Sequence, residues 1–287
     1  MRTADQSLKE WLVYGQAHLA QQAYGNVSLE LRMMLKKILG VDDLYLLTHG
    51  SDLLSETVAR TFQAWIEKRN TGYPIQYILG EQEFMGLLFE INDKVLVPRG
   101  DTEILIEAIL KELKAWSSEK IEVLDIGTGS GAIPVSLAYY DRRIEAESVD
   151  VNREALVVAE NNAKNLGVAD RVKVYESDLF QQVKGCYDVI VSNPPYIESE
   201  VIEALQTEVR YYEPRLALDG GPDGLDFYRK IVEASPHYLK KQGLLAFEIG
   251  HNQGSSLKAL MTEQFKDIQI IQDLAGKDRV VMGRLRD

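Results

Sequence analysis

The stretch Val123-Leu124-Asp125-Ile126-Gly127-Thr128-Gly129-Ser130-Gly131-Ala132 decides how this chain folds. An apolar run ends in glycines at alternate positions, and a helical pattern starts at Gly131. A short apolar run closed by glycine reads as a buried strand, and only glycine lets the backbone turn this sharply and approach a ligand closely. Outwards from that turn, strand and helix patterns alternate from residue 119 onwards. Strands are predicted over 121–126, 144–149, 172–176 and 187–192, with helices from Gly131 and over 153–166. A helix over 225–240, a strand over 244–248, a helix over 255–265 and strands over 268–273 and 280–284 complete the pattern. The alternation predicts an α/β fold with a doubly wound, mostly parallel sheet. Ligands in such sheets bind beyond the strand C-termini, at the switch point. Gly127, Asp150, Asp178 and Asn193 each end or follow a strand, so all four belong on that rim.

Upstream the character changes. From Ser7 to about Asn70, apolar residues recur at helical spacing, as in Leu8, Trp11, Leu12 and Leu31, Met34, Leu35, Ile38, and read as a small helical bundle. Ser28 is a candidate N-cap and Gly40 fits a helix C-terminus. Apolar runs at 84–91 and 95–97, separated by Asn92-Asp93-Lys94, read as a β-hairpin linking two domains. The expected division is a helical domain over 1–72, a hairpin linker over 73–98 and an α/β domain over 99–287. An amphipathic helix with an acidic first turn, Asp101 and Glu103, opens the last of these.

The 287 residues are 45% hydrophobic, enough for a substantial core in one large or two modest domains. A formal net charge of −12 argues against a broad phosphate-binding surface, since nucleic-acid affinity comes mainly from Lys and Arg. No direct nucleic-acid partner is therefore expected. Cys186 is the sole cysteine, which excludes an intramolecular disulfide, and the four scattered histidines show no metal-ligand spacing. No bound metal is expected. The first ten residues lack a basic-then-apolar signal pattern and no apolar run approaches membrane-spanning length. A cytoplasmic protein without a membrane partner is expected, acting as a monomer.

Two clusters on the rim carry chemistry. Asp150, at the end of the second strand, is placed to accept hydrogen bonds from two ribose hydroxyls. A dinucleotide site competes for this reading, because Gly127-x-Gly129-x-x-Ala132 also satisfies the Rossmann fingerprint. Gly131 completes an alternating triplet after Asp125, an acid suited to an amino group rather than a pyrophosphate, which suggests S-adenosyl-L-methionine. Nothing downstream resembles a hydride-transfer site, and a Walker-type loop is absent. The second cluster is Asn193-Pro194-Pro195-Tyr196. Two prolines remove two backbone donors and leave the Pro194 carbonyl to aim into a cleft; Asn193 adds a second acceptor and Tyr196 a flat face. Two acceptors and a stacking surface suit an amino group on an sp2 carbon, as in a glutamine amide or adenine. An ordinary strand-ending turn would use the same residues.

These residues resemble the class I S-adenosylmethionine-dependent methyltransferases, and in particular the bacterial protein-(glutamine-N5) methyltransferases that modify peptide chain release factors. The resemblance covers nearly the whole chain. It extends to Tyr73–Gly80, Leu96–Glu103 and Glu213–Leu218 with Gly220-Gly221. It implies a cofactor site of Asp125, Gly127, Thr128, Gly129, Ser130, Gly131, Asp150, Asp178, Leu179 and Asn193. It also implies an amide site of Asn193, Pro194, Pro195 and Tyr196, with Asn193, Pro194 and Tyr196 catalytic. The expected reaction moves a methyl group to the glutamine of a release-factor Gly-Gly-Gln loop. Two positions depart from the family pattern: Gly100 stands where proline is usual, and Leu179 where an aromatic is frequent. That leaves Leu179 or Phe180 to pack on adenine. The Asn-Pro-Pro-Tyr motif alone is shared with adenine-N6 DNA methyltransferases, the competing activity; a non-catalytic binding module is the third.

Overall fold

The computed structural model describes residues 6–20 and 25–287. Residues 1–5 and 21–24, which fall within the expected helical domain, lie outside the described residues. The chain divides into two compact units: residues 1–80 with 206–212, and residues 81–205 with 213–287.

The first unit is helical: α1 Leu8–His18, α2 Val27–Leu39, α3 Asp43–Thr48, α4 Glu56–Asn70 and α5 Ile75–Leu79. Ser7 and Glu10 form a reciprocal capping box at the start of α1, satisfying two otherwise orphaned amide donors. The cap of α2 is Asn26, whose side chain accepts the Leu29 amide, and not the expected Ser28, which lies inside the helix. Asn and Ser are both good caps, and the one that precedes the first helical residue prevails. Leu8, Trp11, Leu31, Met34, Leu35 and Phe62 are fully buried in one core. Within it sits a charged cluster with no sequence signature. Arg69, 1% exposed, donates to both carboxylate oxygens of Glu30, to Glu208 and to the Tyr73 carbonyl.

The second unit begins with a hairpin, β1 Glu81–Phe84 and β2 Leu87–Glu90, joined through Met85 and Gly86, both at positive φ. This corrects the predicted strands at 84–91 and 95–97. A Met-Gly pair supplies the left-handed backbone that a two-residue hairpin needs, in the middle of what reads as one apolar run. Nor is 73–98 a single linker, since α5 groups with the helical unit and the hairpin with the second. Phe84, Leu87 and Phe89 share a core with α6 Gly100–Leu113.

After α6 come β3 Ile121–Ile126, α7 Ala132–Tyr140, β4 Ile144–Asp150, α8 Arg153–Asn165, β5 Val172–Glu176 and β6 Tyr187–Ser192. The chain then forms α9 Thr207–Tyr212, α10 Asp226–Ala234, β7 Leu239–Glu248, α11 Gly254–Met261, β8 Phe265–Gln272 and β9 Asp278–Leu285. The seven-stranded sheet has the order β5-β4-β3-β6-β7-β9-β8, parallel except where β9 pairs β7 and β8. The order reverses between β3 and β6, which is the switch point. Side chains of α6, α7 and α8 bury one face of the sheet and those of α10 and α11 the other, so β3 is buried on both faces from Val123 to Ile126. The predicted helix over 225–240 is shorter in fact. It gives way to a 3-10 turn at Ser235–His237, where Pro236 lacks the amide a longer helix needs, and β7 starts at Leu239 rather than 244.

Candidate active site

The turn after β3 is made of backbone. Gly127, Gly129 and Gly131 have φ of 83°, 52° and 80°, a region that L side chains rarely adopt. The Gly127 and Thr128 amides donate to the Val149 carbonyl of β4, and the Gly129 amide donates to Asp150 Oδ2 at 2.9 Å. Open space lies where a Cβ on Gly127 or Gly129 would stand, whereas a Cβ on Gly131 would come within 3.0 Å of Ala159 Cβ and 3.1 Å of its Cα. The first two glycines clear a surface and the third lets α8 close against the turn. Asn162 of α8, fully buried, ties the turn to the hairpin: it donates to Ser130 O and Glu90 O and accepts the Glu90 amide.

A cavity open to solvent lies over this turn. Its floor and one side are Gly127, Thr128, Gly129, Ser130, Asp150, Asp178 and Leu179. Leu179 has φ of 48°, and this left-handed backbone is braced where Ser177 Oγ donates to the Leu179 carbonyl. Phe180 instead stacks on Tyr238 in the core, with ring centroids 4.6 Å apart, so the side chain facing the cavity is that of Leu179. The segment Lys94, Val95, Leu96 and Pro98 forms another wall. Val95 and Leu96 of the 95–97 run thus line the cavity, held by Asn152 Nδ2 on the Lys94 carbonyl.

The cavity continues to Asn193, Pro194 and Pro195 at the end of β6. Asn193 Nδ2 donates to Thr102 Oγ1 at 3.2 Å, while Asn193 Oδ1 and the Pro194 carbonyl accept no hydrogen bond from the described residues. The turn is braced from behind. Ile197 pairs with Asp219, Gln253 Nε2 donates to the Tyr196 carbonyl, and a Cβ on Gly220 would meet Pro195 O and Tyr196 Cα at 2.7 Å. This close approach is the physical reason for the glycine in the resembling 213–221 stretch. Pro214, Leu216, Ala217 and the ring of Phe227 complete the wall.

Three expected site residues do not line the cavity: Asp125, Tyr196 and Gly131, the last of which abuts Ala159. Asp125 is fully buried beneath the turn, where Ser148 Oγ donates to its Oδ2 at 2.6 Å. Burial pushes its carboxyl up to about 7, against the Ser148 hydrogen bond and with the help of nearby Asp150. Tyr196 is half-buried, packs against the core and donates its hydroxyl to Glu248 Oε1 at 3.3 Å. Asp150 also titrates above the usual carboxylate range through burial, although the Asn152, Gly129 and Val151 amides favour its charged form. Thr128 Oγ1, buried in the cavity wall, approaches Asp125 and favours its charged form, without a hydrogen bond of full geometry among the described residues. Sequence reasoning missed Thr102, Asn162 and Glu248, all polar and all buried; their signal is burial itself, which a single sequence does not carry.

Among the described residues no group of acids, histidines and cysteine is arranged to hold a metal ion, and no helix is long and apolar enough to cross a membrane. Residues 100–211 match the methyltransferase small domain and residues 10–80 the PrmC N-terminal domain. The chain is 42% identical over 245 residues to the release factor glutamine methyltransferase of Moorella thermoacetica, covering 84% of this chain and 86% of that one. It is 39% identical over 281 residues to the protein of the same name from Clostridium botulinum, covering 96% and 99%. A methyltransferase structure from Pyrococcus furiosus superposes with a TM-score of 0.52 at 21% identity, over 78% of this chain and 98% of that one, a likeness of fold.

Proposed function

The chain belongs to the release factor glutamine methyltransferases, and on that premise we propose that its cavity binds S-adenosyl-L-methionine and admits the side-chain amide of a release-factor glutamine for methylation at N5. The residues present fit the cofactor. The space beside Gly127 and Gly129 admits a ligand against bare backbone. Asp150 keeps acceptor capacity for ribose hydroxyls beyond the amides it already binds. Leu179 packs on the adenine and Asp178 stands beside it. The cofactor supplies an electrophilic methyl group on a sulfonium.

The protein residues act on the acceptor nitrogen. An amide nitrogen is a poor nucleophile because its lone pair is delocalised, so position and angle matter most. Asn193 Oδ1 and the Pro194 carbonyl accept its two N–H groups, aim it, and stabilise the positive charge that grows on it during transfer. No base is required before transfer, because the alkylated nitrogen loses its proton readily. The observation that carries this reading is a pair of uncommitted acceptors lining the same cavity as the glycine turn. Asp125 holds the turn from below, and Tyr196 acts behind Asn193 rather than on the amide plane. The helical unit, none of whose described residues lines the cavity, is assigned to recognition of the protein substrate.

Incubation with methyl-labelled cofactor tests the assignment. Label is expected in an intact release factor and not in duplex DNA; label in DNA adenine, with none in the protein, overturns it.

A further inference from the structure

Asparagine offers an oxygen on one side of its amide and an NH2 on the other, and only one of them suits an incoming amino group. The hydrogen-bond network behind Asn193 decides which. Glu248 ends β7 beside the end of β6 and is 2% exposed. Its Oε2 accepts Thr102 Oγ1 at 2.5 Å and its Oε1 accepts Tyr196 Oη at 3.3 Å. The Thr102 hydroxyl has a single proton, and Glu248 takes it. Towards Asn193, Thr102 therefore acts only as an acceptor, so Nδ2 turns to it and Oδ1 is left for the cavity.

We propose that Glu248, acting through Thr102, is a positioning residue that holds the Asn193 amide with its oxygen towards the substrate and so makes the site select N–H donors. This rests on the reading of Asn193 as acceptor for the substrate amide. The polarity of the relay depends on the carboxylate being ionised. A protonated Glu248 donates to Thr102, which is then free to donate to Asn193 Oδ1, and the amide reverses to show its NH2 to the cavity. An NH2 facing the NH2 of a glutamine cannot bind it.

The surroundings place this switch near neutrality. Burial raises the Glu248 carboxyl to about 7; the Thr102 hydrogen bond opposes, Asp101 of α6 adds to the rise, and Tyr196 and Arg279 of β9 oppose it. Tyr228 of α10, whose hydroxyl donates to the Glu248 carbonyl, is the remaining titratable group facing it. Because the ionised form is the competent one, the transfer rate rises with pH.

Single-turnover methyl transfer by the full chain, with saturating cofactor and release factor, reads this out. Saturation removes the effect of Asp125 and Asp150 titration on cofactor binding. The wild-type rate is expected to rise about tenfold between about pH 6 and about pH 8.5. Glu248→Gln, neutral throughout, abolishes the rise. Thr102→Val, which keeps the shape but not the hydroxyl, also flattens the profile and lowers the rate about tenfold to a hundredfold, and Thr102→Ser restores both. Cofactor dissociation constants, equal to wild type in all three variants, establish that each is folded. A wild-type pH rise in Glu248→Gln, or wild-type turnover in Thr102→Val, overturns the proposal. If Asn193→Ala loses transfer while those two variants keep it, the acceptor reading stands and this inference alone fails. Wild-type turnover in Asn193→Ala instead removes the acceptor reading itself.

Discussion

β3 and β6 are neighbours in the sheet, yet the sites at their ends are built in opposite ways. The end of β3 is a backbone site. Three glycines shape it, the Gly127, Thr128 and Gly129 amides hold it, and its partners come from the next strand, at Val149 and Asp150. The end of β6 is a side-chain site. Asn193 is oriented by Thr102, 91 residues earlier, and through it by Glu248, while Gly220 and Gln253 brace the turn from further loops. A backbone site is specified locally and tolerates a change of neighbours. A side-chain site depends on partners that only the complete fold assembles, and a single remote substitution can disable it.

The largest expected effect lies at the β6 end. Asn193→Ala should lower the single-turnover rate by about 10²–10³, roughly 2.7–4 kcal/mol, while cofactor affinity holds. Asn193→Asp sharpens this, because it keeps an acceptor oxygen for the substrate and should retain more activity than alanine; the reverse order would show that shape, not acceptance, matters there. At the β3 end the comparison predicts a binding defect without loss of fold. Asp150→Ala should weaken cofactor binding about tenfold to a hundredfold, or about 1.5–3 kcal/mol, by calorimetry. Unchanged binding would mean that the backbone alone suffices.

Gly220→Ala probes whether the β6 turn really leans on its brace. Its Cβ would press on backbone at Pro195 and Tyr196, so a loss of about 1–3 kcal/mol in unfolding free energy is expected, with slower transfer. Unaltered stability and rate would break the contrast between the two ends. The smallest effect concerns Asp125, beneath the glycine turn. Its folded carboxyl titrates at about 7 against an ordinary 3.8, so the stability linked to it is fully present below the unfolded value and is lost as pH rises towards about 7. Asp125→Asn should therefore raise the melting temperature of the cofactor-free protein by about 2–6 °C at pH ~8, a gain that shrinks as pH falls towards about 4. An equal shift at both pH values would show that charge burial is not the cause.

The same contrast explains what could be read from the chain in advance. The parallel core, β3 to β6, follows from apolar runs and glycine turns that are local, and Val172–Glu176 and Ile121–Ile126 fall where the pattern places them. The hairpin's bounds did not, because Met85 adopts positive φ inside an apolar run, and Val95 and Leu96 line a cavity where a strand was expected. Asn193 and Pro194 were recognisable as residue types. Their polarity was not, since Glu248 lies outside every motif and Thr102, though within the 96–103 stretch, gains meaning only when buried beside it. Asp125 and Tyr196 were legible as neighbours of the site, but the sequence does not reveal that neither lines the cavity, their polar atoms being bonded to Ser148 and Glu248 respectively.

The central claim is that this chain delivers a methyl group to a glutamine side-chain amide. Mass spectrometry of a release-factor digest, after incubation with labelled S-adenosyl-L-methionine, tests it most directly. The account predicts one added methyl group on the side-chain nitrogen of a single glutamine, absent when the Asn193→Ala variant is used. Label on any other residue or on a backbone nitrogen, or an unmodified digest from an enzyme that binds the cofactor, contradicts it.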